Sequence, residues 1–244
     1  LAALDAIPVD QLSENEKINA AVLRTSLEAF VAEGKYRTWE MPFNADSQFW
    51  SGLSARDAWP SLEEYQRYIG RMRDIPRYFD EQIVNMRAGL KRGFSVPRAS
   101  LEGRDATIAA YVDTDPAKNP FYSAFAKMPS TIPAADQERL RAEAQQVISG
   151  AVAPAYAKLL TFFKDEYLPK ARTTLAAEAM PDGKAFYQAQ IREYTTTALT
   201  AEEIHQIGLK EVARITAEME QVKEKAGFKG DLAAFIHFLR TDPQ

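Results

Sequence analysis

Apolar residues recur along this chain at steps of three and four with few interruptions, the spacing that lines one face of a helix. The best-specified case lies late in the sequence, where Ile204, Gly208, Val212, Ile215, Met219 and Val222 form one stripe. Thr200-Ala201-Glu202-Glu203 precedes it in the form of a capping box, in which hydroxyl and carboxylate satisfy each other's backbone N–H groups. Lys223 and Lys225 sit where the helix dipole favours positive charge, and Gly227 follows as a residue able to take positive φ. A stripe of this kind needs a partner surface to cover it.

Earlier helices carry similar signals. Ser13-Glu14-Asn15-Glu16 is a second capping box, opening a helix with Ile18, Val22, Leu27, Phe30 and Val31 inside and an end at Gly34. Ser61-Leu62-Glu63-Glu64 is a third, followed by Leu62, Tyr65, Ile69 and Met72. Pro76 reads as the start of a separate helix carrying Phe79, Ile83, Met86 and Leu90, closed by Gly93. Residues 94–97 form an extended link before Pro97. Further helices are predicted over 99–112, around 121–127, over 134–149, and from Pro154 to Tyr167. No segment alternates convincingly as a strand would, a brief edge strand around 107–111 being the disfavoured alternative, so the expectation is an all-α, bundle-like array of about 8–10 helices.

One stretch breaks the pattern. Residues 35–60 hold Tyr36, Trp39, Phe43, Phe49, Trp50 and Trp59 without a clean period, which predicts an ordered loop with one helical turn at 46–49. Flat rings such as Trp39 and Trp50 could form a platform for sugar or peptide. The simpler reading is that a loop this long folds its rings into the core to stay ordered.

Composition limits the function classes. The 244 residues are 46% hydrophobic and 26% charged, ordinary for a globular protein. A net charge of −4 argues against a nucleic-acid partner. No apolar run reaches the length of about 18 residues that a transmembrane helix needs. The absence of cysteine excludes disulfides, thiolate zinc sites and a thiol nucleophile, and leaves the compartment unassigned. Pro116, Pro120, Pro129 and Pro133 make 113–133 a weak internal boundary. Phe121, Tyr122, Phe125 and Met128 lie within it, so the chain reads as a single helical region over 1–244. Its start at Leu1 instead of Met suggests a fragment of a longer protein.

Candidate chemistry is sparse. The two histidines are His205 and His237, and neither opens an HExxH. Glu202 and His205 have the ExxH spacing of carboxylate-bridged dimetal bundles. Such sites need a second ExxH, and Ala234 stands where His237 would require a carboxylate. Glu202 as a dipole partner and His205 as a boundary residue is the simpler account. There is no Gly-x-Ser-x-Gly elbow, no Ser-x-x-Lys and no glycine-rich phosphate loop, so no catalytic residue is assigned. Thr195-Thr196-Thr197 could be read as nucleophiles, but hydroxyl residues before a capping box more often end one helix and orient the next.

Several stretches carry a family likeness: Pro181-Asp182-Gly183-Lys184-Ala185-Phe186-Tyr187 with the Thr195–Met219 region, Ala153-Pro154-Ala155-Tyr156, Tyr167-Leu168-Pro169-Lys170-Ala171-Arg172, and Phe238-Leu239-Arg240-Thr241-Asp242-Pro243. Together they resemble the bacterial family called domain of unknown function 885, most closely from about residue 152 onward. The resemblance implies a long, mostly helical, zinc-metallopeptidase-like protein, exported to the periplasm or anchored as a lipoprotein. It also implies an HExxH-type motif, read His-Glu-Ala-x-Pro-Gly-His-His, downstream of the segment matching Pro243. That motif is absent here. The chain is then expected to be a non-catalytic helical wall of a substrate cleft, with no cofactor of its own. Zinc, the rest of the polypeptide and a peptide substrate would be the intact protein's cofactor and partners. Tyr187 would lie near that cleft, where a phenol can donate to a developing oxyanion; taken alone, packing explains it as well. The alternative expectation is a free-standing helical binding module using the Trp39–Trp59 loop.

Overall fold

The computed structural model describes residues 1–55 and 57–242. Its α-helices in chain order are α1 (Ala2–Asp5), α2 (Glu14–Tyr36), α3 (Leu62–Arg92), α4 (Asp105–Ala109), α5 (Ser123–Ala126), α6 (Ala134–Val147), α7 (Ala153–Phe162), α8 (Leu168–Lys170), α9 (Gly183–Thr195), α10 (Ala201–Lys225) and α11 (Leu232–Thr241). No strand occurs among the described residues, and an isolated bridge pairs Phe43 with Gln48. The fold is all-α. It divides into a central unit, Phe30–Phe186, and a terminal unit formed by Leu1–Ala29 with Tyr187–Gln244. The proline-rich 113–133 stretch lies inside the central unit, where Phe121 and Phe125 are fully buried.

The central unit is organised on α3. Two helices were expected on either side of Pro76; the structure has one helix of 31 residues with the proline inside it. Pro76 cannot donate to the Met72 carbonyl, and its ring crowds that turn, a cost of about 3 kcal/mol. The apolar stripe outweighs it, because Tyr65, Tyr68, Ile69, Met72, Ile75, Phe79, Ile83 and Met86 are all buried on both sides of the proline. Gly93 closes the helix at φ 79° as expected. Near that end Gly89 meets the aromatic loop so closely that an added Cβ would stand 2.5 Å from the Glu40 carbonyl oxygen and 2.7 Å from that of Phe94. The same junction holds an ion pair between the partly buried Arg92 and the buried Glu40. Arg92 also donates to the Tyr36 carbonyl at 2.6 Å and lies 4.1 Å from the centre of the Phe94 ring.

From α6 to α8 the chain is almost continuously helical, interrupted by π-helical segments at Ile148–Val152 and Phe163–Tyr167. Each widened segment ends two residues before a proline, Pro154 and Pro169. A proline removes the i→i−4 hydrogen bond and crowds the preceding turn, and a π turn is one way of absorbing that defect without breaking the helix.

Loop 38–60 departs from expectation in detail. The helical turn lies at Thr38–Glu40, not at 46–49. At 44–47 the Asn44 side-chain oxygen instead accepts from the N–H groups of Asp46 and Ser47, both at 2.8 Å, making a tight non-helical turn. Helix 99–112 shrinks to α4 with a 3₁₀ turn at Arg98–Ser100, because Gly103 adopts φ 74° between them.

The terminal unit is built differently. Thr200 and Glu203 form the complete capping box of α10, with N–H to oxygen distances of 2.7 and 3.2 Å. Bonding to the Thr200 backbone and then to its hydroxyl holds the Glu203 carboxyl below its ordinary pKa. The cap is therefore complete above the usual glutamate range and is lost as pH falls through the depressed value. Gly227 takes φ 68° after α10, and Phe228 then packs its ring 5.2 and 5.3 Å from Phe235 and Phe238 of α11. Thr195 donates to the Ile191 carbonyl at 2.7 Å and Thr196 stands at φ 56°, so the threonines end α9 and turn the chain toward α10.

Candidate functional site

The residues singled out from the sequence fall into unlike surroundings. Trp50 is 0% exposed. Its indole N–H donates to the Thr107 hydroxyl at 3.1 Å, its carbonyl accepts from the Tyr156 hydroxyl at 2.6 Å, and the rings of Phe43 and Phe49 lie 5.0 Å away. The suggestion that Trp50 presents a binding face is thus corrected: a ring without accessible surface is a core residue. Trp39, in the same unit, is 48% exposed. Tyr187 belongs to the terminal unit and is 49% exposed. Both rings are open to a ligand or to further polypeptide.

Glu202 accepts from the Gln206 side chain at 2.8 Å, one turn along α10, and His205 is exposed. His237 is exposed on α11. Among the described residues no three His, Asp or Glu side chains gather as a metal centre requires. The described side chains do not fit a zinc site.

A depression not anticipated from the sequence lies along α3 in the central unit. It has a volume of ≈ 340 Å³ and is lined by Leu53, Ile75 and Tyr78, with Tyr68, Met72 and Phe121 beneath and Arg71 and Asp74 at the rim. The Tyr68 hydroxyl accepts from the Ala55 N–H at 3.0 Å and donates to the Phe121 carbonyl at 3.3 Å, which fixes the floor. Burial pushes the Tyr68 phenol up to about 12, so it stays protonated as a donor. The spacing of Arg71, Asp74, Ile75 and Tyr78 was present in the helical pattern. Leu53 and Phe121 come from distant segments, and no periodicity announces them.

The apolar face of α10 is the other prominent surface. No residue of α10 is buried, and Ile207, Leu209, Val212, Ile215, Met219 and Val222 are all exposed. On α2, Ile18, Val22 and Leu23 of the same unit are exposed as well. Ile191 and Phe235 are the buried hydrophobic residues among the described residues of the terminal unit. Replacing Val212 and Met219 together by serine should change the stability of the 244-residue chain by no more than about 1 kcal/mol in urea denaturation, the ordinary range for surface positions. A loss above about 2 kcal/mol would mean that α10 has a partner within this chain.

The family profile described as "Bacterial protein of unknown function (DUF885)" matches residues 1–244. The chain belongs to DUF885. Its resemblance to the family therefore extends over its whole length and is not confined to the part after residue 152. A crystal structure of a protein described as a lipoprotein from Colwellia psychrerythraea shares the fold, with a TM-score of 0.68 and 24% identity over 76% of this DUF885 chain. The match spans 32% of that protein, so most of its length has no counterpart here. No curated protein matches. The motif Tyr167 to Arg172 serves structure in this DUF885 chain. The Tyr167 hydroxyl accepts from the Val96 N–H at 3.3 Å, while the Arg172 guanidinium donates to the carbonyls of Ser95 at 2.8 Å and Ala176 at 2.9 Å. Burial lowers the Arg172 pKa, as expected for a cation spent on tying loops together.

Proposed function

We propose that this DUF885 chain is the non-catalytic helical part of a zinc-dependent, peptidase-like hydrolase, forming one wall of a substrate cleft whose metal-binding helix lies beyond residue 244. The supporting observation is the uncovered apolar face of α10. A 25-residue amphipathic helix without one buried residue does not stabilise itself in water, because most helical stability comes from packing of the apolar face. The occupant is the remainder of the same polypeptide. The similar solved protein is about three times the length of the region it shares with this chain, which leaves ample sequence for it. Tyr187 in the terminal unit and Trp39 in the central unit, both half-exposed, are the side chains that each unit separately offers to a peptide. The lipoprotein description of the similar protein favours an exported or lipid-anchored location.

Zinc titration by calorimetry, on two polypeptides, tests this reading. The 244-residue chain is expected to show no stoichiometric uptake, and the product of the uninterrupted reading frame is expected to bind zinc tightly. Tight uptake by the shorter chain, or none by the longer, overturns the proposal; the latter result would favour a binding module.

A further inference from the structure

Three polar groups converge on the α3 depression without a partner. Arg71 makes no ion pair or hydrogen bond among the described residues, and its guanidinium rests 5.7 Å from the centre of the Tyr68 ring. Asp74 and the Tyr78 hydroxyl likewise have no hydrogen-bond or ionic partner. An Arg and an Asp three residues apart on a helix are ordinarily close enough to pair. Elsewhere on α3 opposite charges one turn apart do pair, at a spacing of four: Arg67 with Glu63 at 3.3 Å and Arg77 with Glu81 at 2.7 Å. At the rim of the depression the two charges stay apart, with the apolar surfaces of Leu53, Ile75 and Tyr78 beside them.

We infer that this depression is a binding site for an α-amino acid with a large apolar side chain, its carboxylate on Arg71, its ammonium on Asp74 and its side chain against Leu53, Ile75 and Tyr78. The Arg71 fork suits a carboxylate, which it can hold through two parallel hydrogen bonds. Asp74 supplies only acceptors and so suits an ammonium. Arg77 also lines the depression but is paired with Glu81 at 2.7 Å, so the unpaired groups, Arg71 and Asp74, together carry no net charge, which matches a zwitterion better than a simple anion or cation. A volume of ≈ 340 Å³ is at the lower end of small-molecule pockets, about 300–1,000 Å³, and so suits one small molecule and not an extended chain. The floor is preformed, since the Tyr68 ring is fixed by both hydrogen bonds of its hydroxyl. The site lies wholly in the central unit and does not depend on the hydrolase reading.

Titration of the 244-residue chain with L-leucine, followed by calorimetry and by amide chemical shifts of residues 68–78, tests it. Saturable binding with a Kd on the order of 0.1–1 mM is expected for a ligand of this size. N-Acetyl-L-leucine lacks the ammonium and L-leucinamide lacks the carboxylate, so each should bind at least about tenfold more weakly, the worth of one charge-assisted hydrogen bond. Arg71→Gln and Asp74→Asn should each weaken L-leucine by about the same factor. Both side chains are exposed, so the circular dichroism of the variants should match the parent. Arg71→Gln should leave the weak binding of L-leucinamide unchanged, because that ligand has no carboxylate to lose. Absence of saturation, equal affinity for the acetylated or amidated ligand, or unchanged binding by either variant would overturn the assignment.

Discussion

Replacing Trp50 by alanine should lower the unfolding free energy by about 4 kcal/mol, within the range for removing a large aromatic side chain from a core. Urea denaturation followed by circular dichroism is the measurement. Three effects combine. The indole leaves a cavity between Phe43, Phe49 and Phe163, whose ring centres lie 5.0, 5.0 and 6.2 Å from it. The Thr107 hydroxyl loses the donor it now holds at 3.1 Å. The aromatic loop loses the anchor that holds its carbonyl against the Tyr156 hydroxyl. Trp50→Phe keeps a ring and should cost less, about 1–2 kcal/mol. A loss below about 1 kcal/mol for alanine would show that the loop is not part of the core and would return Trp50 to consideration as a contact residue.

Gly89→Ala should be nearly as damaging, at about 3 kcal/mol, although it adds one methyl group to a helix and improves local helix propensity. The methyl would lie 2.5 and 2.7 Å from two backbone oxygens, those of Glu40 and Phe94. Neither is the end of a flexible side chain, so the loop itself must move, and the partly buried Arg92–Glu40 pair moves with it. Gly70, on the same helix, has nothing within 4 Å of the corresponding position. There the identical change should stabilise by about 0.5–1 kcal/mol. Denaturation midpoints of the two variants must move in opposite directions; movement in the same direction would remove the proposed close approach of loop and helix.

How far the sequence discloses this protein depends on the kind of signal. Local rules are legible: the capping boxes at Ser13 and Thr200 form with both reciprocal bonds, and Gly93 and Gly227 take the positive φ expected after a helix. Contests between a local rule and distant packing are not. Pro76 argues for a break, and the buried stripe from Tyr65 to Met86 overrides it. The prolines at 154 and 169 are accommodated by widened turns that nothing in the residue pattern announces. For the candidate surfaces, the apolar stripe of α10 is evident from spacing, whereas its exposure emerges only in three dimensions. The α3 depression is hidden for a related reason. Arg71, Asp74 and Tyr78 look like ordinary helix-surface residues until Leu53 and Phe121 are brought beside them.

The make-up of the terminal unit also bears on synthesis. Residues 1–29 leave the ribosome before residues 30–186, and the segment they join, from residue 187 onward, leaves after them. Arg192 of that later segment closes an ion pair with Glu28 at 2.8 Å, a contact that cannot form until all of residues 30–186 have been translated. Residues 30–186 can fold in that interval, as units do during translation. Ile18, Val22 and Leu23 stay exposed even after that contact forms, so this face of α2 is open to chaperones and proteases both during and after translation.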